Sequence, residues 1–139
     1  MTAGESIESG PDVPPVAGAD PEALLAQLRT CADLRSDSDA IFLLMTTMWR
    51  RSVLTSRRTV LLDGIELTDG ATVIDVAPGG GAIARWLLES GHRVIAWCRT
   101  KLEADLVAAR CDGLTGLDVR VGDLASLRGE QVDLLVHLP

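Results

Sequence analysis

The sequence lacks the features that mark disulfide-bonded, zinc-binding and membrane-spanning proteins. Its three cysteines, Cys31, Cys98 and Cys111, are odd in number and form no C-x-x-C pair, which argues against a disulfide framework and a structural metal site. No apolar run reaches the length of a membrane span, and residues 1–20 hold acids where a secretion signal would carry Lys or Arg. We therefore expect a soluble, cytoplasmic protein that binds neither a membrane nor a metal ion.

Positive charge is also scarce. Acids outnumber bases 20 to 13 in 139 residues, which leaves a formal net charge of −7 at pH 7 with His neutral. A surface that binds nucleic acid through its phosphates needs an excess of Lys and Arg, so we expect no nucleic-acid partner. The 47% hydrophobic content is enough for a folded core, and the length is that of one domain.

An acidic N-terminal segment precedes the patterned part of the chain. Residues 1–39 hold eight acids and two bases. Prolines and small residues fill residues 1–19, a composition that predicts a disordered tail. The remainder, residues 20–139, is predicted to be a single domain with a helical lead-in over 20–58 and an α/β part over 71–139.

Two helices are predicted in the lead-in. Asp20-Pro21-Glu22 has the pattern of a helix start, and Ser36-Asp37-Ser38-Asp39 offers a second N-cap before apolar residues that keep helical spacing through Val53. A basic group lies near the end of this second helix, and it fits either a solvated face or a ligand or partner site. Its members are Arg50, Arg51, Arg57 and Arg58.

From Ala71 onward, short apolar runs alternate with helical stretches, which is typical of βαβ units on a parallel sheet. Gly91 and Gly113 are predicted to end the two intervening helices. We expect an α/β fold with a parallel sheet of about four strands and flanking helices. The predicted strands are Thr72–Ala77, Arg93–Cys98, Leu117–Val121 and Val132–Leu138.

The first of these strands runs into Gly79-Gly80-Gly81 and then into a helix. Glycines let the backbone approach a ligand, and a helix N-terminus offers free N–H groups to an anionic part of it. The same glycines also fit a tight turn that only brings helix and strand together. Ala82 and Ile83 follow, so the Lys-Ser/Thr of a phosphate-binding P-loop is missing, and the sequence contains no Ser-His-Asp set.

The run from Leu67 to Gly81 resembles the first motif of class I S-adenosylmethionine-dependent methyltransferases, Asp-x-Gly-x-Gly-x-Gly. Asp75, Gly79 and Gly81 match it, and Ala77 stands at the first glycine. The resemblance covers about residues 60–139. It implies a Rossmann-like sheet and a methyltransferase that uses S-adenosylmethionine on an unknown acceptor.

The resemblance also implies roles for single residues. Gly79 and Gly81 would lie against the amino-acid end of the cofactor, and Asp75 would hold the loop or reach the cofactor through water. Val121-Gly122-Asp123-Leu124 looks like the family's acidic motif near the adenine. Asp123 would accept a hydrogen bond from the adenine amino group, with the Leu124 N–H beside it.

One residue departs from the family pattern at the end of the second strand. There the family places Asp or Glu, which accepts hydrogen bonds from both ribose hydroxyls, and this sequence has Cys98. A thiol cannot replace that acceptor. The loss corresponds to about 1.5–3 kcal/mol, or about ten- to a hundred-fold in affinity, so we expect weak or lost cofactor binding at Cys98, which also fits a small buried core residue.

The family's sheet has seven strands, in the order 3-2-1-4-5-7-6, and this sequence stops after the fourth. We therefore expect a truncated domain whose last strand, Val132–Leu138, is an exposed edge that pairs in a homo- or hetero-oligomer. A non-catalytic partner or scaffold subunit with a degenerate cofactor site is an alternative. His137 lies where many of these enzymes place groups near the transferred methyl, and it is the one candidate catalytic base.

A second resemblance gives another alternative. Gly91–Thr100 is similar to the second-strand region of β-hydroxyacid dehydrogenases and imine reductases, in which an arginine contacts the 2′-phosphate of NADP. Arg99 would have that role. This alignment puts Asp75, Ala77 and Gly80 on the Gly-x-Gly-x-x-Gly positions, so a carboxylate would approach the pyrophosphate, which is electrostatically unfavourable. A shifted alignment, Gly79-x-Gly81-x-x-Ala84, restores the pattern but lengthens the strand and shortens the helix by four residues. NADP is thus the second cofactor candidate.

Overall fold

Four parallel strands form one sheet in the computed structural model, which describes residues 17–138. β1 is central and pairs with both β2 and β4, and β3 lies outside β2, so the spatial order is β3-β2-β1-β4. This arrangement confirms the predicted α/β class. The strands are β1 (Thr72–Val76), β2 (Arg93–Cys98), β3 (Leu117–Val121) and β4 (Leu134–Val136).

The last strand is shorter than predicted. It pairs with β1 only over Leu134–Val136, whereas the apolar run predicts Val132–Leu138. At its start the Thr72 N–H donates to the Asp133 carboxylate at 2.8 Å, and the Asp133 N–H donates to the Thr72 carbonyl at 2.9 Å. The side chain of Asp133 thus takes the hydrogen bond that an extended ladder would have used.

Residues 17–138 contain five α-helices, and the second predicted helix is divided into two short ones. Thr47 caps the later of the two, because its side chain accepts from the Arg50 N–H at 3.2 Å. None of the helices within residues 17–138 has the length and hydrophobicity needed to cross a bilayer. The helices are α1 (Pro21–Thr30), α2 (Asp39–Leu44), α3 (Met48–Leu54), α4 (Ala82–Glu89) and α5 (Lys101–Arg110), with 3₁₀ segments at Ser56–Leu62 and Leu124–Leu127.

The helix α5 contributes to both hydrophobic clusters of the described chain. Val107 is buried with the sheet and α4, and Leu106 is buried with α1, α2 and α3. The helical lead-in therefore packs against the sheet through α5. The predicted tail, residues 1–19, lies outside the described residues except for 17–19, and stays a prediction.

One member of the predicted basic group is part of this packing. Arg50 is buried, and its guanidinium donates to both carboxylate oxygens of Asp20, at 3.0 and 2.6 Å, and to the side chain of Gln27. Arg50 thus joins α3 to the start of α1 and is not available to a ligand. The interpretation of four arginines on one solvated or ligand-binding surface is wrong for this residue.

Candidate functional site

A cavity of about 390 Å³ lies at the carboxyl ends of β1 and β4. Ligands of open parallel sheets bind outside the carboxyl ends of the strands, so the position is that of a binding site. The walls come from α3, the 3₁₀ segment, the glycine loop and the residues after β2 and β4. Residues that line the cavity include Ser52, Thr55, Arg58, Asp75, Ala77, Gly79, Arg99 and His137.

A larger cavity of about 810 Å³ lies on the other side of α3, between α2 and the 3₁₀ segment. It is lined by none of the residues that the sequence singles out for cofactor binding. It shares Ser52 and Thr55 with the smaller cavity. The smaller cavity is therefore the candidate site.

The three loop glycines have different tasks. A Cβ on Gly80 would lie 2.5 Å from the Val53 carbonyl oxygen, and a Cβ on Gly81 would lie 3.1 Å from the Val107 Cα. These two glycines let α3 and α5 approach the loop. Gly79 has a φ of +61°, meets only a Val53 side-chain carbon at 3.8 Å, and lines the cavity. Gly79 is thus the glycine that a ligand can reach.

Ala77 adopts a left-handed backbone conformation, with a φ of +54°, and is the only non-glycine residue within 17–138 that does so. This conformation costs a residue with a Cβ about 1–2 kcal/mol. The Ala77 N–H donates to the Trp97 carbonyl at 2.8 Å, which fixes the start of the loop from β1 to α4 against the neighbouring strand β2. The strained turn ends β1 one residue earlier than predicted and places Ala77 against the cavity.

Asp75 is the only acid among the residues that line the cavity. Its side chain is buried, and its Oδ2 atom has no hydrogen-bond partner within residues 17–138. Burial, with a smaller contribution from the Glu103 carboxylate, raises the pKa of Asp75 to about 7. A buried polar atom without a partner is costly, so the site favours a ligand that donates a hydrogen bond to Asp75 or carries positive charge there.

Glu103, which the sequence pattern did not single out, does not line the cavity but contacts two residues that do. It lies in the first turn of α5, and its Oε1 accepts from the Gly79 N–H at 3.1 Å while its Oε2 accepts from the Arg99 Nε at 3.1 Å. The available signal was Thr100-x-x-Glu103, the pattern of a capping box. Thr100 does cap the helix, but the carboxylate of Glu103 reaches across to the glycine loop, which helical spacing does not predict.

Cys98 lies outside the cavity. Its side chain is fully buried in the hydrophobic cluster beneath β2, and burial raises the pKa of the thiol to about 12. It is therefore neutral at physiological pH and offers no charged acceptor. The carboxylate that reaches the carboxyl ends of β1 and β2 belongs to Glu103.

The acidic motif after β3 also lies outside the cavity lining. Asp123 and Leu124 are exposed, and the Asp123 carboxylate accepts from the Ala125 N–H at 2.8 Å as the cap of a 3₁₀ turn. The structure therefore brings Asp75, Ala77 and Gly79 together with two other predicted residues, Arg99 and His137. It does not bring Gly81, Cys98, Asp123 or Leu124 into the same cavity.

No protein-family model and no curated protein matches the chain, but several solved structures do. The phosphoethanolamine N-methyltransferase 1 of Haemonchus contortus, solved with phosphoethanolamine and S-adenosylhomocysteine, is 19% identical, with a TM-score of 0.55 over 86% of this chain and 26% of that one. Coclaurine N-methyltransferase, solved with N-methylheliamine and S-adenosylhomocysteine, is 15% identical, with a TM-score of 0.53 over 84% and 40%.

The chain has the Rossmann-like fold of the S-adenosylmethionine-dependent methyltransferases. A mutant of MtNAS in complex with S-adenosylmethionine has the same fold, at 19% identity and a TM-score of 0.52 over 83% of this chain and 45% of that one. The resemblance found in the motif from Asp75 to Gly81 is thus confirmed at the level of the fold. The chain spans less than half the length of these three proteins.

Proposed function

We propose that the chain binds S-adenosylmethionine in the cavity at the end of β1 and takes part in methyl transfer to an acceptor. The observation that supports this most directly is the buried Asp75 oxygen without a partner, beside Gly79, in a fold shared with proteins solved with this cofactor or its product. The strand order 3-2-1-4 is also that of dinucleotide-binding folds. The structural neighbours favour the methyl donor.

The residues present fit the amino-acid end of this cofactor. Its ammonium group would donate to Asp75, which supplies the missing hydrogen bond, and Gly79 has no side chain to obstruct it. On the ribose side Cys98 offers no acceptor, but Glu103 places a carboxylate between Gly79 and Arg99. Both oxygens of Glu103 already accept hydrogen bonds from these residues, and Glu103 does not line the cavity, so weak or lost binding at the ribose stays the expectation.

In methyl transfer the main task of the protein is to align the methyl donor with the acceptor. The sulfonium of S-adenosylmethionine supplies an activated methyl group, so the protein mainly holds two reactants in position. His137 is exposed and lines the same cavity. It would accept a proton from an acceptor that must lose one on methylation.

Calorimetric titration with S-adenosylhomocysteine, with NADPH as the comparison ligand, tests the proposal. We expect the unmodified chain to bind S-adenosylhomocysteine and the Gly79→Asp variant to bind none, because the new carboxylate would fill the cavity beside Asp75. Gly113→Asp is the matched control, since Gly113 has a φ of +82° and open space around it, away from the cavity. Binding of NADPH alone would favour the reductase alternative at Arg99, and undiminished binding by Gly79→Asp would contradict the proposed site.

We also propose that the free edge of β4 pairs with a further strand, as a partner or scaffold role requires. Within residues 17–138, β4 pairs only with β1, and Leu135 is 57% exposed on it. An exposed apolar edge strand is a template for pairing. Size-exclusion chromatography with light scattering should show a species larger than one chain, which Leu135→Lys reduces to a folded monomer. A stable monomer of the unmodified chain would count against this role.

A further inference from the structure

Arg58 differs in its hydrogen bonding from the other buried or half-buried arginines of residues 17–138. The arginines of residues 17–138 that are buried or half-buried are Arg50, Arg58, Arg85, Arg110 and Arg120. All of them except Arg58 donate hydrogen bonds to carboxylate or carbonyl oxygens. Arg58 is half-buried, lines the candidate site, and makes no hydrogen bond or ion pair with residues 17–138.

The chain segment around Arg58 contains no acid that could pair with it. Residues 40–62 contain four arginines and no acid, in a protein whose net charge is negative. Asp75 lines the same cavity but forms no ion pair with Arg58 and is substantially protonated near neutral pH. The other arginine of the cavity, Arg99, already pairs with Glu103. No Arg58 nitrogen is fully buried, so water reaches the guanidinium where it lines the cavity, and an anionic group that enters the cavity can replace that water.

We propose that Arg58 binds an anionic group, a carboxylate or a phosphate, of a molecule held in this cavity. A guanidinium can donate two parallel hydrogen bonds to either group. Thr55 is beside it in the cavity wall, and its hydroxyl oxygen accepts from the Arg57 N–H at 3.2 Å. The Thr55 hydroxyl proton therefore remains free to donate to the same anion.

The identity of the bound molecule rests on the proposed function, and two sources of the anion follow from it. One is the carboxylate at the amino-acid end of the methyl donor. The other is an anionic group on the methyl acceptor. Either anion would accept the same two hydrogen bonds from Arg58. The two sources can be distinguished by comparing a ligand that carries the amino-acid carboxylate with one that lacks it.

The test compares Arg58→Gln with Arg57→Gln, a matched control at the adjacent arginine, which is exposed and lines only the larger cavity. Each variant is titrated with S-adenosylhomocysteine and with 5′-methylthioadenosine, which lacks the amino-acid carboxylate. If Arg58 holds that carboxylate, Arg58→Gln should lower the affinity for S-adenosylhomocysteine by about ten- to a hundred-fold. The affinity for 5′-methylthioadenosine should not change. A general loss of folding would instead lower the affinity for both ligands.

If Arg58 holds the acceptor, Arg58→Gln should leave both nucleosides unchanged and abolish binding of inorganic phosphate to the chain loaded with S-adenosylhomocysteine. Unchanged binding of all three ligands, or an equal effect of Arg57→Gln, would overturn the assignment. A chain that binds neither nucleoside would refute the proposed function. The phosphate titration of the free chain would then decide the role of Arg58 by itself.

Discussion

Gly80→Ala should lower the free energy of unfolding by about 3 kcal/mol or more, at the upper end of overpacking effects. The reason is that the new Cβ would lie 2.5 Å from the Val53 carbonyl oxygen and 3.0 Å from its carbon. Both atoms are backbone atoms near the end of α3, so no side-chain rotation can relieve the clash. The helix must move away from the glycine loop, which opens one wall of the cavity.

Urea denaturation and thermal melting measure this effect, and a fall in melting temperature of roughly 10 °C corresponds to it for a chain of this size. Gly91→Ala is the matched control. Gly91 has a φ of +86°, and no atom lies near the position of an added Cβ. The Gly91→Ala substitution should therefore lower the free energy of unfolding by only about 1 kcal/mol, through backbone strain. Equal losses of stability in the two variants would mean that α3 does not contact the glycine loop closely enough to exclude a Cβ at Gly80.

Asp75→Asn should raise the free energy of unfolding above pH 7. This gain in stability should become smaller as the pH falls towards 4. In the folded protein, burial and the Glu103 carboxylate raise the pKa of Asp75 from its ordinary value of 3.8 to about 7. Between these two pH values the folded state keeps a proton that the unfolded state has lost, so the folded state loses stability as the pH rises. The full loss, at most about 4 kcal/mol, is reached above pH 7.

Asparagine cannot ionise, so the variant avoids this loss. The difference in unfolding free energy between Asp75→Asn and the unmodified chain should therefore be near zero at pH 4 and largest at pH 8, as measured by urea denaturation across that range. The exposed Asp69→Asn serves as a control. A difference that does not change with pH would show that Asp75 ionises normally in the folded state.

The same variant separates stability from function. Under the proposed function, Asp75→Asn removes the negative charge that would receive the cofactor's ammonium, so the more stable protein should bind S-adenosylhomocysteine more weakly. Gains in stability at the expense of binding are typical of residues that a site holds in an unfavourable state. Stabilisation together with unchanged binding would place the ligand away from Asp75.

Much of the sheet is predictable from the sequence, because short apolar runs and turn residues act locally. The bounds of β2 and β3 agree with prediction, and β1 differs by the one residue, Ala77, that turns into the left-handed region. Errors occur where a single side chain changes the outcome. Thr47 divides a helix that hydrophobic spacing alone makes continuous, and Asp133 delays the start of β4.

The candidate site is less predictable, because its members meet through contacts between distant segments. Helical spacing places Glu103 on α5 but does not show that its carboxylate reaches Gly79. Alignment places Cys98 at the end of β2 but does not show that its thiol is buried in the core.

The sequence by itself determined the order of strands and helices, the glycine turn after β1 and the presence of an acid before it, since each depends on residues close together in the chain. Only the tertiary structure decided which of these groups share a cavity. It buried Arg50 against Asp20, set α3 against Gly80 and left Arg58 without a partner among residues 17–138. These outcomes depend on burial and on partners tens of residues away in the chain, and neither can be predicted from the spacing of residues within one helix or strand.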